Sequence, residues 1–393
     1  MIEWGLAENT LWREILCRAA AAAGSLRILR LARANCCRWN FSTCSEAAGS
    51  GNILLLQWAR SEHCPWNADT CKNAAKGGYL GMLKWARANY CRWDKTTCSE
   101  AAGSGHLDVL RWARSEGCPW DAGTCWKAAR GGHLDILQWA RGHGCTWDHQ
   151  TCEGAATGGH LEVLQWARAN GAEWRAGTTY AAAYGGHLEL LQWTRAQGCP
   201  WHWRVCRGAA RNGHLHILEW IQAGRHVVGS YSMGTGDAEG GHLDVLQWAR
   251  ANGVDWDSRV CNAAASGGHF EVFKWALCHG CPWDEKTCAH AAKGGALDIL
   301  QCARAQGCPW DCNTCSEAAR NDHFEVLKWA RYNGCPWDET TCTGAAVGGH
   351  LDILQWARAH GCPWDENTYE GASGHGRLDV MGWAMDNGCP YGL

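Results

Sequence analysis

The sequence predicts an all-α solenoid of about fourteen helix–turn–helix repeats, each 27 residues long. Three observations carry that expectation. The position that closes a glycine break recurs at Ser25, Asn52, Tyr79, His106, His133, His160, His187, His214, His242, His269, Ala296, His323, His350 and Arg377. Of the thirteen intervals, twelve are 27 residues and only His214 to His242 is 28. Composition is skewed as a copied template would skew it, with 28 Trp, 26 Cys and 49 Gly against 8 Pro and 4 Phe. Each copy also holds two apolar stretches of helical period on either side of its glycines.

The copy from Cys118 to Gly144 justifies the elements in order. Asp121, just ahead of Thr124-Cys125, is an N-cap signal that opens a first helix. Cys125, Ala128 and Ala129 then share one face by i, i+3, i+4 spacing. Gly131-Gly132 ends this helix, because glycine takes the left-handed conformation without a Cβ clash. A second helix starts at His133, and Leu134, Ile136, Leu137, Trp139 and Ala140 give it a broad apolar face before Gly144. A unit this small cannot bury that face alone, so neighbours must stack. Of the 28 Trp, 26 fall at two fixed positions and are expected to supply most of the buried area. Trp126 and Trp203 lie off the template and are candidates for exposed contacts. The recurrent W-A-R arginine is expected on a solvated outer face, balanced by an acid of the same helix, as Arg141 is by Asp135. A leucine-rich repeat would need an L-x-L strand and a buried Asn, and neither recurs.

The register predicts one continuous array over residues 1–393, with partial repeats at both ends. Trp4 falls in a second helix, and the chain closes in a loop at Tyr391. Residues 221–241 form an irregular repeat, lacking the loop Trp, both Cys and the Ala-Ala pair and holding Gly229, Gly234 and Gly236. Decay of the repeat is the plainest reading, with a hinge or a partner contact as alternatives.

The net charge of −3, from 36 Lys+Arg against 39 Asp+Glu, supplies no field for generic nucleic-acid or membrane binding. Met1-Ile2-Glu3-Trp4 lacks the basic start and apolar run of a signal peptide, and no stretch approaches 18 apolar residues. The cysteines therefore read as reduced thiols in a cytoplasmic or nuclear setting. As metal ligands they fail, because the two Cys positions are lost piecemeal: Val254 accompanies Cys261, Cys362 accompanies Tyr369, and Ala172 and Thr179 replace both. Small buried thiols fit better. The anchor His, repeated nine times without a specialised copy, reads as a turn residue bonded at the start of the second helix. No phosphate loop, nucleophile elbow or H-E-x-x-H is present. Neither catalysis nor a cofactor or metal is expected.

Thr124-Cys125-x-x-Ala128-Ala129 followed by Gly132-His133-Leu134-x-Ile136-Leu137 resembles the ankyrin repeat, as does His160-Leu161-Glu162-Val163-Leu164. The resemblance spans almost the whole chain and makes the expected fold an ankyrin-like solenoid. The W-A-R and C-P-W-D elements look like the divergent short ankyrin repeats of giant DNA viruses and some protists. The repeat departs from the 33-residue family pattern by about six residues, and T-C-x-x replaces T-P-L-H. That shortfall falls where the family's β-hairpin finger belongs, leaving the concave helical face as the binding surface the resemblance implies.

On that face the positions that break the template are the two residues before Ala-Ala and the one after. They read Lys72, Asn73 and Lys76, then Trp126, Lys127 and Arg130, then Tyr180 and Tyr184, then Arg207 and Arg211. Later copies give His290 and Lys293, then Glu317 and Arg320. The expectation is a basic, aromatic-dotted groove, densest from Lys72 to Arg211, that binds a protein partner. The viral likeness implies a host protein as that partner. The alternative is a substrate adaptor for a ubiquitin ligase, whose recruiting domain the register from Trp4 onward is expected to exclude from this chain. Residues 11–40 hold six Arg against Glu14, and residues 335–393 hold eight acids against two Arg, a charge asymmetry that would permit head-to-tail self-association.

Overall fold

A computed structural model describes residues 10–224 and 238–391, with side-chain burial from residue 15 onward. Its elements are all helices, in two compact units, Met1–His202 and Trp203–Leu393. In the first unit the helix pairs run from Thr10–Ala22 with Leu26–Ala34 to Ala176–Gly185 with Leu188–Ala196. In the second they run from Val205–Arg211 with Leu215–Ala223 to Glu366–Gly374 with Leu378–Asp386. Of the irregular repeat, residues 225–237, including Gly229, Gly234 and Gly236, lie outside the described residues, as does Trp4. Its described ends are regular: Ile221 is buried in Leu215–Ala223, and Gly241 turns the chain at φ +79° into His242.

The first helices are short, and most of those described start on a side-chain cap, the exceptions including Ala176–Gly185, Val205–Arg211 and Glu366–Gly374. Asp121 precedes Ala122–Arg130, and its carboxylate accepts from the Gly123 backbone N–H at 3.0 Å. Asp94, Asp148, Asp257, Asp284, Asp311 and Asp338 do the same in their repeats. Cys125, Ala128, Ala129, Ile136, Leu137 and Ala140 are all 0% exposed and form the core of their repeat. Within each unit the first helices pack directly on one another, which small Cys and Ala side chains permit. The tryptophans differ from expectation. At the described template positions they are half-buried, and the fully buried volume is chiefly aliphatic, alanine and cysteine, with Phe273 the one fully buried large aromatic among the described residues. The loop and second-helix indoles instead cover the seam edge to face, 5.8 Å apart at Trp120 and Trp139.

Two further expectations are corrected. The W-A-R arginine is no solvated counter-charge: Arg141 donates to the Cys145 carbonyl at 2.6 Å and lies 4.2 Å from the Trp147 ring centroid. It clamps the loop to the next repeat, as Arg60, Arg87, Arg114, Arg168, Arg304 and Arg358 also do. The anchor His makes no bond to its own helix start. His160 Nε2 instead donates to the Arg130 carbonyl of the preceding repeat at 3.1 Å. The same staple recurs at His106, His187, His269, His323 and His350. It also explains the paired glycines: a Cβ on Gly132, whose φ is +79°, would meet His160 Cε1 at 2.5 Å.

The thiols form a third inter-repeat link. Cys118 Sγ donates to the Asp94 carbonyl at 3.4 Å, and Cys98 Sγ approaches the Cys118 carbonyl at 3.9 Å. The helix cysteines Cys44, Cys98, Cys261 and Cys288 thus face the loop cysteine twenty residues ahead, in the next repeat. This is why Cys362 coexists with Tyr369: Cys362 partners Cys342 instead.

Candidate partner-binding surface

The outward positions of the first helices are those the stacking does not consume. In the first unit Lys72 pairs with Asp69 at 3.2 Å, and Asn73 Nδ2 donates to the Ser45 carbonyl at 2.9 Å. Lys76 is exposed. Lys127 is held by Glu100 at 2.5 Å. Arg130 is exposed, 5.4 Å from the centroid of Trp126, which is itself half-buried. Tyr180 and Tyr184 stand 5.9 Å apart, with His202 5.3 Å from Tyr180.

In the second unit Glu239 takes Arg211 at 2.8 Å and Arg207 at 3.8 Å. Carboxylates at 69, 100 and 239 therefore balance the basic groups locally, and sequence reasoning had singled out none of them. Trp203 is 67% exposed, with Arg204 4.3 Å from its ring centroid. Arg320 is exposed.

Two adjoining cavities open on this face of the second unit. The larger, about 680 Å³, is lined by Arg207, Glu239, Asp257, Ser258, Arg259 and Asn262, and by Asp284, Lys286 and His290 further along. The smaller, about 260 Å³, is lined by Glu285, Lys286, His290, Lys293, Asp311, Asn313 and Glu317. Lys286 and His290 belong to both. Arg207, His290, Lys293 and Glu317 are thus gathered on one groove. Lys286 and Arg259 went unrecognised because they sit one position after the residue that follows the cap, outside the triplet around Ala-Ala. That position varies from copy to copy, as Thr96, Gly123 and Gln150 show, and this was the available signal.

A polar network floors the larger cavity. Ser258 Oγ donates to Asp284 at 2.8 Å and Asn262 Nδ2 at 3.2 Å, while Thr287 Oγ1 donates to Asn262 Oδ1 at 2.6 Å. In the repeats of Thr124, Thr151 and Thr314 the equivalent hydroxyl is buried without a partner. Burial pushes the Asp284 carboxyl upward, but these donors and the Lys286 N–H outweigh it and hold it low. Burial pushes His290 below the usual imidazole range, and its buried Nδ1 has no partner. A neutral ring therefore stands in the wall between the cavities. Among the described residues no His, Cys, Asp and Glu converge as metal ligands, and no helix is long and apolar enough to cross a membrane.

A family model for ankyrin repeats in many copies matches residues 238–277. The chain carries ankyrin-like repeats. The helices Leu243–Ala251 and Ser258–Ser266 lie inside the matched segment. Among solved structures, the pentatricopeptide repeat protein PPR10 from maize is 14% identical, with 96% of this chain and 78% of that one covered at a TM-score of 0.33. PPR10 in complex with an 18-nt psaJ RNA element is 12% identical, with 98% and 81% covered at 0.34. The human ASB11 ankyrin repeat domain is 16% identical, with 40% of this chain and 84% of that domain covered at 0.33. No curated protein matches. Ankyrin-like repeat folds generally mediate protein–protein interaction and are typically non-enzymatic.

Proposed function

We propose that this ankyrin-like array is a protein-interaction module that holds an extended segment of a partner along the outward face of its first helices. The observation that carries the reading is the pair of adjoining cavities sharing Lys286 and His290. Apart from the recurring cap aspartates, their walls are built largely from positions that differ between repeats, whereas the bonds that recur from one repeat to the next use template positions. Six carboxylates and four bases line the two cavities together, a mixture suited to a peptide's alternating donors and acceptors. A polyphosphate backbone would need the opposite balance. A host-cell protein is the partner class that the resemblance to viral arrays implies.

The test is affinity capture with the whole chain beside two variants. One carries His290→Ala, Lys293→Glu and Glu317→Lys. The other carries Trp126→Ala, Lys127→Glu and Arg130→Glu, with Glu100→Lys added so that the ion pair is inverted instead of broken. A partner held by the wild type and lost by either variant supports the reading. Capture unaffected by both overturns the assignment of this face, and a capture dominated by ligase subunits moves the adaptor alternative ahead. Salt-sensitive retention on a polyanion matrix, abolished by the same changes, would favour nucleic acid instead.

A further inference from the structure

We infer that the first unit holds a seat for one cationic side chain, arginine or lysine, of the partner segment, with Glu153 as its counter-charge between Trp126 and Tyr180. The inference rests on the protein-interaction reading above and specifies what one part of that face accepts.

Trp126, Glu153 and Tyr180 occupy the same template position in three successive repeats, 27 residues apart. They stand in line on the first helices Ala122–Arg130, His149–Gly158 and Ala176–Gly185. Two glycines let the first two lean onto the following helix. A Cβ on Gly154 would lie 3.0 Å from Trp126 Cδ1, and one on Gly177 would lie 2.1 Å from Glu153 Oε1. The indole edge therefore rests beside the base of Glu153, and the carboxylate rests one helical turn before Tyr180. The position that carries Asn73 and Lys127 in earlier repeats holds Gly154 and Ala181 here, so no long side chain covers the row.

Charge is what singles out Glu153. Other acids of this face are matched: Glu46 by Arg18 at 3.6 Å, Asp69 by Lys72, Glu100 by Lys127, and Asp121 by Lys95 at 2.8 Å. Among the described ion pairs and hydrogen bonds, none engages the Glu153 carboxylate, although the residue is half-buried. Burial raises its pKa above the usual carboxylate range, and the charges of His149 and Arg175, which pull it down, do not outweigh burial and the neighbouring Asp148. A partly desolvated carboxylate without a cation gains most from one brought by a ligand. Arg130 already lies against Trp126, so the aromatic surface offered to the newcomer falls chiefly to Tyr180, with the indole as a wall. Alkyl stems of arginine and lysine pack against such rings while the charge meets the carboxylate.

The probe is an array of glycine-serine nonapeptides whose central residue is varied, overlaid with the full chain at low and physiological salt. Central Arg or Lys should raise retention about tenfold over central Gln, and Glu153→Gln should remove most of that gain. Glu153→Lys should move the preference to central Asp or Glu, with circular dichroism confirming that both variants keep wild-type helix content and melting. Equal retention of basic peptides by wild type and Glu153→Gln overturns the inference, and so does a wild type indifferent to basic residues. If the His290 variant still loses a captured partner while the array shows no basic preference, only this seat fails and the protein-interaction reading stands.

Discussion

The contact between an anchor histidine and the glycine of the preceding repeat can be tested with a double-mutant cycle on Gly132 and His160. Gly132→Ala places an L side chain at φ +79°, which costs about 1–2 kcal/mol by itself. The new Cβ would also lie 2.5 Å from His160 Cε1, so ring or backbone must shift, adding about 1–2 kcal/mol. His160→Ala removes the bond to the Arg130 carbonyl, worth about 1 kcal/mol, together with the ring's packing. In the double variant the steric part disappears, because nothing remains for the Cβ to strike. The two losses should therefore fall short of additivity by about 1–2 kcal/mol. Urea unfolding followed by circular dichroism measures all four corners, and hydrogen exchange at Leu137 and Leu164 localises the loss to this interface. Strict additivity would refute the claim that the paired glycines exist to seat the next repeat's ring.

Other consequences follow from the same contacts. Arg141→Ala should cost about 1–3 kcal/mol, since it loses both the Cys145 carbonyl and the Trp147 face, and Arg141→Lys should recover only part; equal loss in the two variants would deny the planar guanidinium its role. Burial depresses the pKa of His160 and His290 below 6.5, so the folded chain binds fewer protons there than the unfolded one. Their contribution is complete above about pH 6.5 and is lost as pH falls through their folded values, so melting temperature should drop on acidification, less so in a His160→Gln, His290→Gln variant. In a native thiol-labelling experiment Cys36 and Cys278, which are exposed, should react first. Cys312 should lag despite its half-exposure, because a hydrogen bond to Asp338 and burial push its thiol up to about 11. Cys152, pushed up to about 12 by burial, should react only on unfolding, and rapid labelling of it would contradict the packing described.

Much of this architecture is legible in the sequence, and the boundary of legibility is physical. A period of 27 residues announces itself in Trp, Cys and Gly, and the Asp121 cap and the buried Ala128-Ala129 face follow from spacing along one helix. What stayed hidden are partners set by the step between repeats. His160 reaches back 30 residues to Arg130, Cys118 reaches back 24 to Asp94, and Arg141 reaches past its own helix to Trp147. None of those offsets can be derived from a single helix, so His read as a local turn residue and Arg as solvated. The outward positions were legible as departures from the template. Their charge balance was not, because Glu100 and Glu239 look like ordinary surface acids until the stacking places them beside Lys127 and Arg211.

The division between recurring and varying positions bears directly on how such a surface gains specificity. Bonds between neighbours run through His, Cys, Arg and the loop Trp, all on the template. An outward residue that joins no such bond can change at a cost typically within about 0.5 kcal/mol. Where an outward residue has been drawn into the stack, that freedom is gone: Asn73 holds the Ser45 carbonyl and Lys127 holds Glu100. Among the described bonds, the side chains of Glu153, His290, Lys293 and Lys286 make none to a neighbouring repeat. An extended partner must immobilise its side chains at about 0.5–1.5 kcal/mol each, so a single seat worth about 1 kcal/mol gives little net affinity. Several seats along the first helices of a unit, each a modest contact, are needed before association outweighs ordering. Binding strength should therefore depend on how many consecutive first helices the partner spans, and specificity on which of these unengaged residues it meets.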